Sequence, residues 1–178
     1  MLKAAYLQSE DWSFAAFLHN LLKLIKSRRS VRQYANKPIQ KKILEEIIDA
    51  ARLAPSAINM QPWEFVVITE KEMLNYIAEN ARYGKFIKDS AACVLVCGDK
   101  RNHHLVEDCS AATENILLAA KSFKIGSCWV AGYNKPYCKA IKTTLGIPED
   151  IDIISIIPLG YYHKNPLRAS YSGLKSGV

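Results

Sequence analysis

The chain has 178 residues, 49% of them hydrophobic, which is material for one compact domain with a substantial core. No shift in composition divides it, so a single domain over residues 1–178 is expected, with residues 1–13 as an N-terminal extension. No apolar run approaches the roughly eighteen residues that span a bilayer, and Glu10 and Asp11 break the pattern of a signal peptide, so a soluble, cytoplasmic protein with no membrane partner is expected. The net charge of +7 is unevenly placed: no acidic residue lies between Trp12 and Leu44, a stretch that holds Lys23, Lys26, Arg28, Arg29, Arg32, Lys37, Lys41 and Lys42. After Asp152 only Lys164, Arg168 and Lys175 carry charge. Two basic segments distant in sequence suit one anionic ligand held between them. A basic nucleic-acid module is the rival, but zinc-finger spacing, a basic helix followed by heptads and an RNP-like motif are all missing, so no nucleic-acid partner is expected.

In chain order, Phe14 to Lys26 has helical spacing, with Phe14, Phe17, Leu18, Leu21, Leu22 and Ile25 on one side and basic residues gathered at the C-terminal end. Pro38 suits the first position of a helix running to about Leu53, stopped by Pro55. Glu64 to Thr69 reads as a mostly buried strand, Glu72 to Arg82 as a helix, and Ala92 to Cys97 as a second buried strand ended by Gly98. A long helix from about His104 to Phe123 is rich in alanine, which suits close packing on another helix of this chain or of a second subunit, and Gly126 is placed to end it. Ser127 to Val130 reads as a short strand, Lys135 to Leu145 as a helix and Ile151 to Leu159 as the last core strand. From Gly160 and the Tyr161-Tyr162 pair an irregular basic tail begins.

Five cysteines (Cys93, Cys97, Cys109, Cys128, Cys138) form no CxxC pair, and four lie in apolar stretches, so they read as reduced structural thiols. His103 and His104 read as a solvated or capping pair, since no metal-ligand spacing accompanies them, and no metal is expected. The absence of GxGxxG and of GxxxxGK[ST] argues against a resident dinucleotide of the doubly wound type and against a P-loop nucleotide.

Arg28-Arg29-Ser30-Val31-Arg32 puts three guanidinium groups and a hydroxyl within five residues. Arginines at a helix end can simply serve their own helix's last carbonyls, but Ser30 adds nothing to a solvated face, whereas it completes a phosphate cradle. A helix later stands Ala54-Pro55-Ser56-Ala57-Ile58-Asn59-Met60-Gln61-Pro62-Trp63, by composition a turn. Over residues 28–69 these segments resemble the nitroreductase family of FMN-dependent oxidoreductases, in its short form. Gly126-Ser127-Cys128-Trp129-Val130-Ala131-Gly132-Tyr133 resembles a further family segment, and Pro158-Leu159-Gly160-Tyr161 followed by Arg168 its closing strand and basic residue.

The resemblance implies an α+β, nitroreductase-like three-layer fold, a central mixed sheet flanked by helices, in a homodimer. It implies that Arg28, Arg29 and Ser30 contact the phosphate and ribityl chain of FMN, that Arg32 approaches the N1 and C2 carbonyl edge of the ring, and that Arg168, or failing it Lys164, returns to the phosphate. Pro55, Ser56 and Asn59 would reach the cofactor bound mainly by the partner subunit. The backbone N–H groups of Ala131 and Gly132 would face N5 and O4; many members carry an acidic residue at the place of Ala131, so any side-chain role there is vacant. The implied activity is hydride transfer from NAD(P)H, a transient donor, through bound flavin to an electrophilic acceptor such as a nitroaromatic, quinone or enone, by ping-pong exchange and with no side-chain catalyst. A flavin carrier or sensor without robust turnover is the alternative. The acceptor pocket falls at about Asn75 to Lys88, where Tyr76, Tyr83 and Phe86 read more simply as core.

Overall fold

Among the residues described by the computed structural model, 20–162, four of five helices cover the two faces of one sheet. The central strands are β2 (Ala92–Asp99) and β5 (Ile151–Gly160), paired antiparallel. β1 (Trp63–Ile68) adds antiparallel to the outer side of β2, and two short strands, β3 (Gly126–Ser127) and β4 (Val130–Ala131), pair antiparallel with the outer side of β5. The parallel component is an isolated bridge between Ser30 and Ser127. Helix α1 covers residues 20–27, α2 Lys41–Arg52, α3 Lys71–Asn80, α4 Leu105–Ser122 and α5 Tyr137–Leu145.

Side chains of a strand alternate between faces, and β2 shows how one run of sequence builds two cores. Val94 and Val96 join Leu44, Ile47 and Ile116 beneath α2 and α4, whereas Cys93, Leu95 and Cys97 join Leu74, Ile77 and Ile141 beneath α3 and α5. Burial on both faces is why β2 and β5 read as nearly continuous apolar runs. The three-layer expectation therefore holds, and α4 packs on α2 of its own chain, where Asn115 donates from Nδ2 to the Ala50 carbonyl at 2.9 Å. All five cysteines are buried, and burial pushes the thiols of Cys97, Cys109 and Cys138 up to about 12.

Several boundaries differ from the expectations, each for a local reason. Helix α2 begins at Lys41 rather than Pro38, because the chain before it is tied to Tyr161: the Ala35 N–H donates to the Tyr161 carbonyl at 2.7 Å and the Lys37 ammonium lies 4.2 Å from the centre of the Tyr161 ring. β1 is an edge strand with Glu64 and Val67 exposed, not a mostly buried one. Gly98 lies within β2 and does not end it; a Cβ there would stand 2.6 Å from the Pro62 carbonyl oxygen, so the glycine marks close approach of the incoming loop.

The end of α4 is closed by Lys124, not by Gly126. Lys124 takes the left-handed conformation (φ 59°), with its N–H on the Lys121 carbonyl and the N–H of buried Ile125 on that of Ala120 at 2.8 Å. This double closure lets a non-glycine residue carry the turn. Gly126 instead starts β3. The strand expected over Ser127 to Val130 is split at Cys128 and Trp129, which fall opposite Ile157 and Pro158. Pro158 has no N–H to offer that side of β5, so the ladder lapses there.

The turn from β2 into α4 is held by Asp99, whose carboxylate accepts from the Arg101 backbone N–H at 2.9 Å and from its guanidinium Nε. These bonds from Arg101 hold the Asp99 carboxyl down at about 2. A carboxyl depressed on folding contributes stability that is complete above the unfolded pKa near 4 and is lost as pH falls through the folded value. Carboxyl-detected NMR should therefore find Asp99 still ionised at pH 3, with its midpoint back near 4 in Arg101→Gln; an ordinary midpoint in the parent would show that the pair does not persist in water.

Candidate functional site

The arginine segment is fixed to the sheet by its backbone. The Val31 N–H donates to the Ser127 carbonyl at 2.8 Å beside the Ser30–Ser127 bridge, and the Tyr34 hydroxyl donates to the Val31 carbonyl at 2.7 Å while packing its ring on Gly160. Burial pushes the Tyr34 phenol far above its ordinary range, so it acts as a neutral clamp. The segment thus lies alongside β3, and its side chains leave from a stiff edge.

Arg32 lines one cleft together with Cys128, and Arg28 lines another together with Arg29 and Ser127. Burial raises the Cys128 thiol, while Arg32, the Ser30 hydroxyl and Arg28 pull it back. Arg28 is half-buried and pairs with Glu114 on α4 at 3.5 Å. Arg29 points differently: its Nη1 donates to the carbonyls of Lys26 and Arg28 at 2.8 and 2.7 Å, closing the end of α1. Arg29 and Arg32 have no carboxylate partner among the described residues. Lys121, whose ammonium donates to the Tyr162 hydroxyl at 3.3 Å, lines the same shallow basic cleft as Arg28, Arg29 and Ser127; its place on the last turn of α4 was not singled out in the sequence.

Beyond Arg32 the surface opens into a cleft of about 410 Å3, lined by Arg32, Tyr83, Phe86, Cys128, Trp129, Val130, Ala131, Lys135 and Tyr137. The Arg32 guanidinium lies 5.8 Å from the Phe86 ring centre. Tyr83 is 72% exposed, so it is wall rather than core, and Phe86 is half-buried beneath Arg32. Tyr76 is a packing residue between α3 and α5, as its sequence suggested, with its hydroxyl 3.5 Å from the Ala140 carbonyl. A planar, partly apolar ligand with an anionic tail fits this pairing of an aromatic cleft with a guanidinium-rich edge.

Gly132 calls for a correction. Its N–H donates to the Ile154 carbonyl at 3.0 Å, and an added Cβ would meet the Ile153 carbonyl oxygen at 2.7 Å. The glycine permits close approach to β5 at its bulge, so its N–H serves the sheet and is not a free donor to a ring. Ala131 remains exposed on the wall of the cleft.

The loop Pro55–Asn59 does not reach this cleft within one chain. It stands where the chain enters β1, at the opposite edge of the sheet, held to the N-terminal part of α4 by the Ala57 N–H on Asp108 Oδ1 at 3.0 Å and closed by the Gln61 N–H on Ser56 Oγ at 2.9 Å. These bonds impose left-handed backbone on Ile58 (φ 46°), Asn59 (φ 59°) and Gln61 (φ 49°), which costs on the order of 1 kcal/mol for each such residue. Asp108 was missed in the sequence; its buried Oδ2 has no hydrogen-bond partner among the described residues. His103 and His104 are exposed, His104 occupying the N-cap of α4 without a side-chain bond. Arg168 and Lys164 lie outside the described residues.

Comparison with known proteins agrees with this arrangement. The model of the nitroreductase family matches residues 25–92 and 77–161. A protein of Archaeoglobus fulgidus, provisionally named NADH dehydrogenase/NAD(P)H nitroreductase, is 43% identical over 150 residues, covering 81% of this chain and 86% of the relative. Among solved structures, an FMN-dependent nitroreductase from Clostridium difficile R20291 superposes with a TM-score of 0.77 at 32% identity, over 81% of this chain and 88% of that one. A nitroreductase with bound FMN from Bacteroides fragilis NCTC 9343 gives a TM-score of 0.70 at 29% identity, over 88% and 95%. The arginine segment bridged to β3, the aromatic cleft and the matched length agree: the chain belongs to the nitroreductase family.

Proposed function

We propose that the chain is an FMN-binding oxidoreductase that takes hydride from NAD(P)H and delivers it to an electrophilic small-molecule acceptor such as a quinone, enone or nitroaromatic, each in turn occupying the same cleft. The observation that carries this reading is the arginine segment bridged to β3, with Arg28 and Arg29 lining a basic cleft beside Ser127 and Arg32 lining a second cleft walled by Tyr83, Phe86 and Trp129. FMN, when bound, supplies the hydride relay itself. Arg28, with Ser30, Arg29 and Lys121 beside it, holds the phosphate by charge-assisted hydrogen bonds. The Arg32 guanidinium places a positive charge at the cleft, so it favours the negative charge that arrives with a hydride. The aromatic wall orients a flat reactant and keeps water from it. None of these roles calls for a nucleophile or a general base.

Anaerobic stopped-flow mixing tests the reading. Bound flavin should bleach on mixing with NADH or NADPH and recover its colour when a quinone is added, with parallel-line steady-state kinetics. Flavin that stays oxidised before an excess of donor would leave a carrier or sensor in place of the enzyme.

We further propose that the working unit is a homodimer in which Pro55, Ser56 and Asn59 complete the partner's flavin site. The support is the loop itself: Ile58 is 91% exposed in a left-handed conformation that a β-branched residue avoids, with Leu53 and Met60 also exposed beside it. An isoleucine held at such cost with no described residue covering it suits a buried interface. Ile58→Asp should weaken self-association by about tenfold or more, given the roughly 1.5–3 kcal/mol that a buried isoleucine contributes, and FMN retention should fall with it. Sedimentation that finds Ile58→Asp as dimeric as the parent would remove this loop from the interface.

A further inference from the structure

A second cleft, of about 750 Å3, adjoins the first, and Lys135 lines both. Its cations are Lys100 from the turn after β2, Lys135 just before α5, and Lys139 and Lys142 on α5, where a spacing of three places these two on one helical face. Its acids are Glu149 and Asp152. Lys142 is paired with Asp152 at 3.6 Å with its side chain only 15% exposed, which leaves a surplus of positive charge. The Lys142 and Lys100 ammonium groups both donate to the single Glu149 carbonyl oxygen, at 3.0 and 3.5 Å. Asp152 already neutralises Lys142, whereas Lys100, drawn to the same carbonyl, has no carboxylate partner among the described residues and is open to a further anion.

We propose that this lysine cleft takes the phosphate groups of the pyridine dinucleotide whose nicotinamide end enters the aromatic cleft, with Lys135 at the junction. The inference rests on the oxidoreductase reading above and names where that donor's anionic half binds. The two clefts together have the size and the division of character of such a donor: one flat and aromatic, the other cationic, joined along the turn through Ala131, Gly132 and Lys135. The cation cluster here also lies apart from the arginines assigned to FMN, so two phosphate-bearing molecules can be held at once.

The test uses the purified protein and its Lys100→Gln/Lys139→Gln variant, both residues being exposed. Calorimetric titration with 2′-phospho-ADP-ribose, which carries the phosphates but no nicotinamide, should show binding to the parent that is competed by NADP+ and falls with rising salt. In the variant the affinity should drop about tenfold or more, since losing even one charge-assisted hydrogen bond has that effect, with FMN content unchanged. No binding to the parent, equal binding by both proteins, or inorganic phosphate binding as tightly as the dinucleotide fragment would overturn the proposal. A phosphate-free donor, 1-benzyl-1,4-dihydronicotinamide, separates the two claims: it should reduce bound flavin equally in parent and variant. Failure to reduce the parent's flavin counts against the oxidoreductase reading, whereas a deficit confined to the variant counts against the lysine cleft.

Discussion

Replacing Gly132 by alanine is expected to destabilise the fold by about 1–3 kcal/mol, the usual cost of forcing an extra carbon into packed structure. The new Cβ would lie 2.7 Å from the Ile153 carbonyl oxygen and 2.8 Å from Ile153 Cγ2. Neither side can give way cheaply: Ile153 is in β5, fixed by β2 on one side, and Gly132 is tied back to the same strand by its N–H on the Ile154 carbonyl. Thermal unfolding should fall by several degrees. Ala131→Ser, at the exposed neighbour, should unfold within a degree or two of the parent. A Gly132→Ala protein that melts with the parent would show that β5 does not set this position and would reopen the role of ring donor for its N–H.

Arg28→Ala should instead leave the fold nearly intact and weaken FMN binding by about 2 kcal/mol, roughly thirtyfold, through loss of a charge-assisted bond to the phosphate. Its ion pair with Glu114 is half-exposed, so breaking it costs the fold little. The two effects separate cleanly because Arg28 sits beside, rather than within, the hydrogen bonds that dock the segment on β3. Glu114→Gln is the informative companion, since it removes the competitor for the guanidinium and should leave FMN binding as tight as the parent's or tighter. Fluorescence titration of the apoprotein measures both; unchanged affinity in Arg28→Ala would take this residue out of the phosphate site.

The contrast between these two positions marks how much was legible in the chain. Features carried by the residues' own chemistry were readable: the guanidinium and hydroxyl run of Arg28 to Arg32 suits an anion, and nearly continuous apolar runs announced a sheet covered on both faces. Residues whose role depends on what lies opposite them were not. Nothing local says that Gly132 faces the Ile153 carbonyl, that Pro158 interrupts the strand across from it, or that Gly98 makes room for Pro62. Lys124 hides a helix end because buried Ile125 secures a turn usually given to glycine. Tyr83 and Phe86 looked like core because aromatic content alone does not report which face of a turn meets solvent. The lysine cleft was unreadable for the same reason, since its cations come from positions 100 and 135–142 and meet only after β5 folds between them.

The proposed shared flavin site binds these observations together, and sedimentation velocity of the purified protein with added FMN, followed at the flavin's visible absorbance, tests it most directly. The account predicts a yellow boundary moving as a dimer of the 20.0 kDa chain with one FMN per chain. Flavin left behind with the solvent, or carried at full stoichiometry by a monomer, would contradict it.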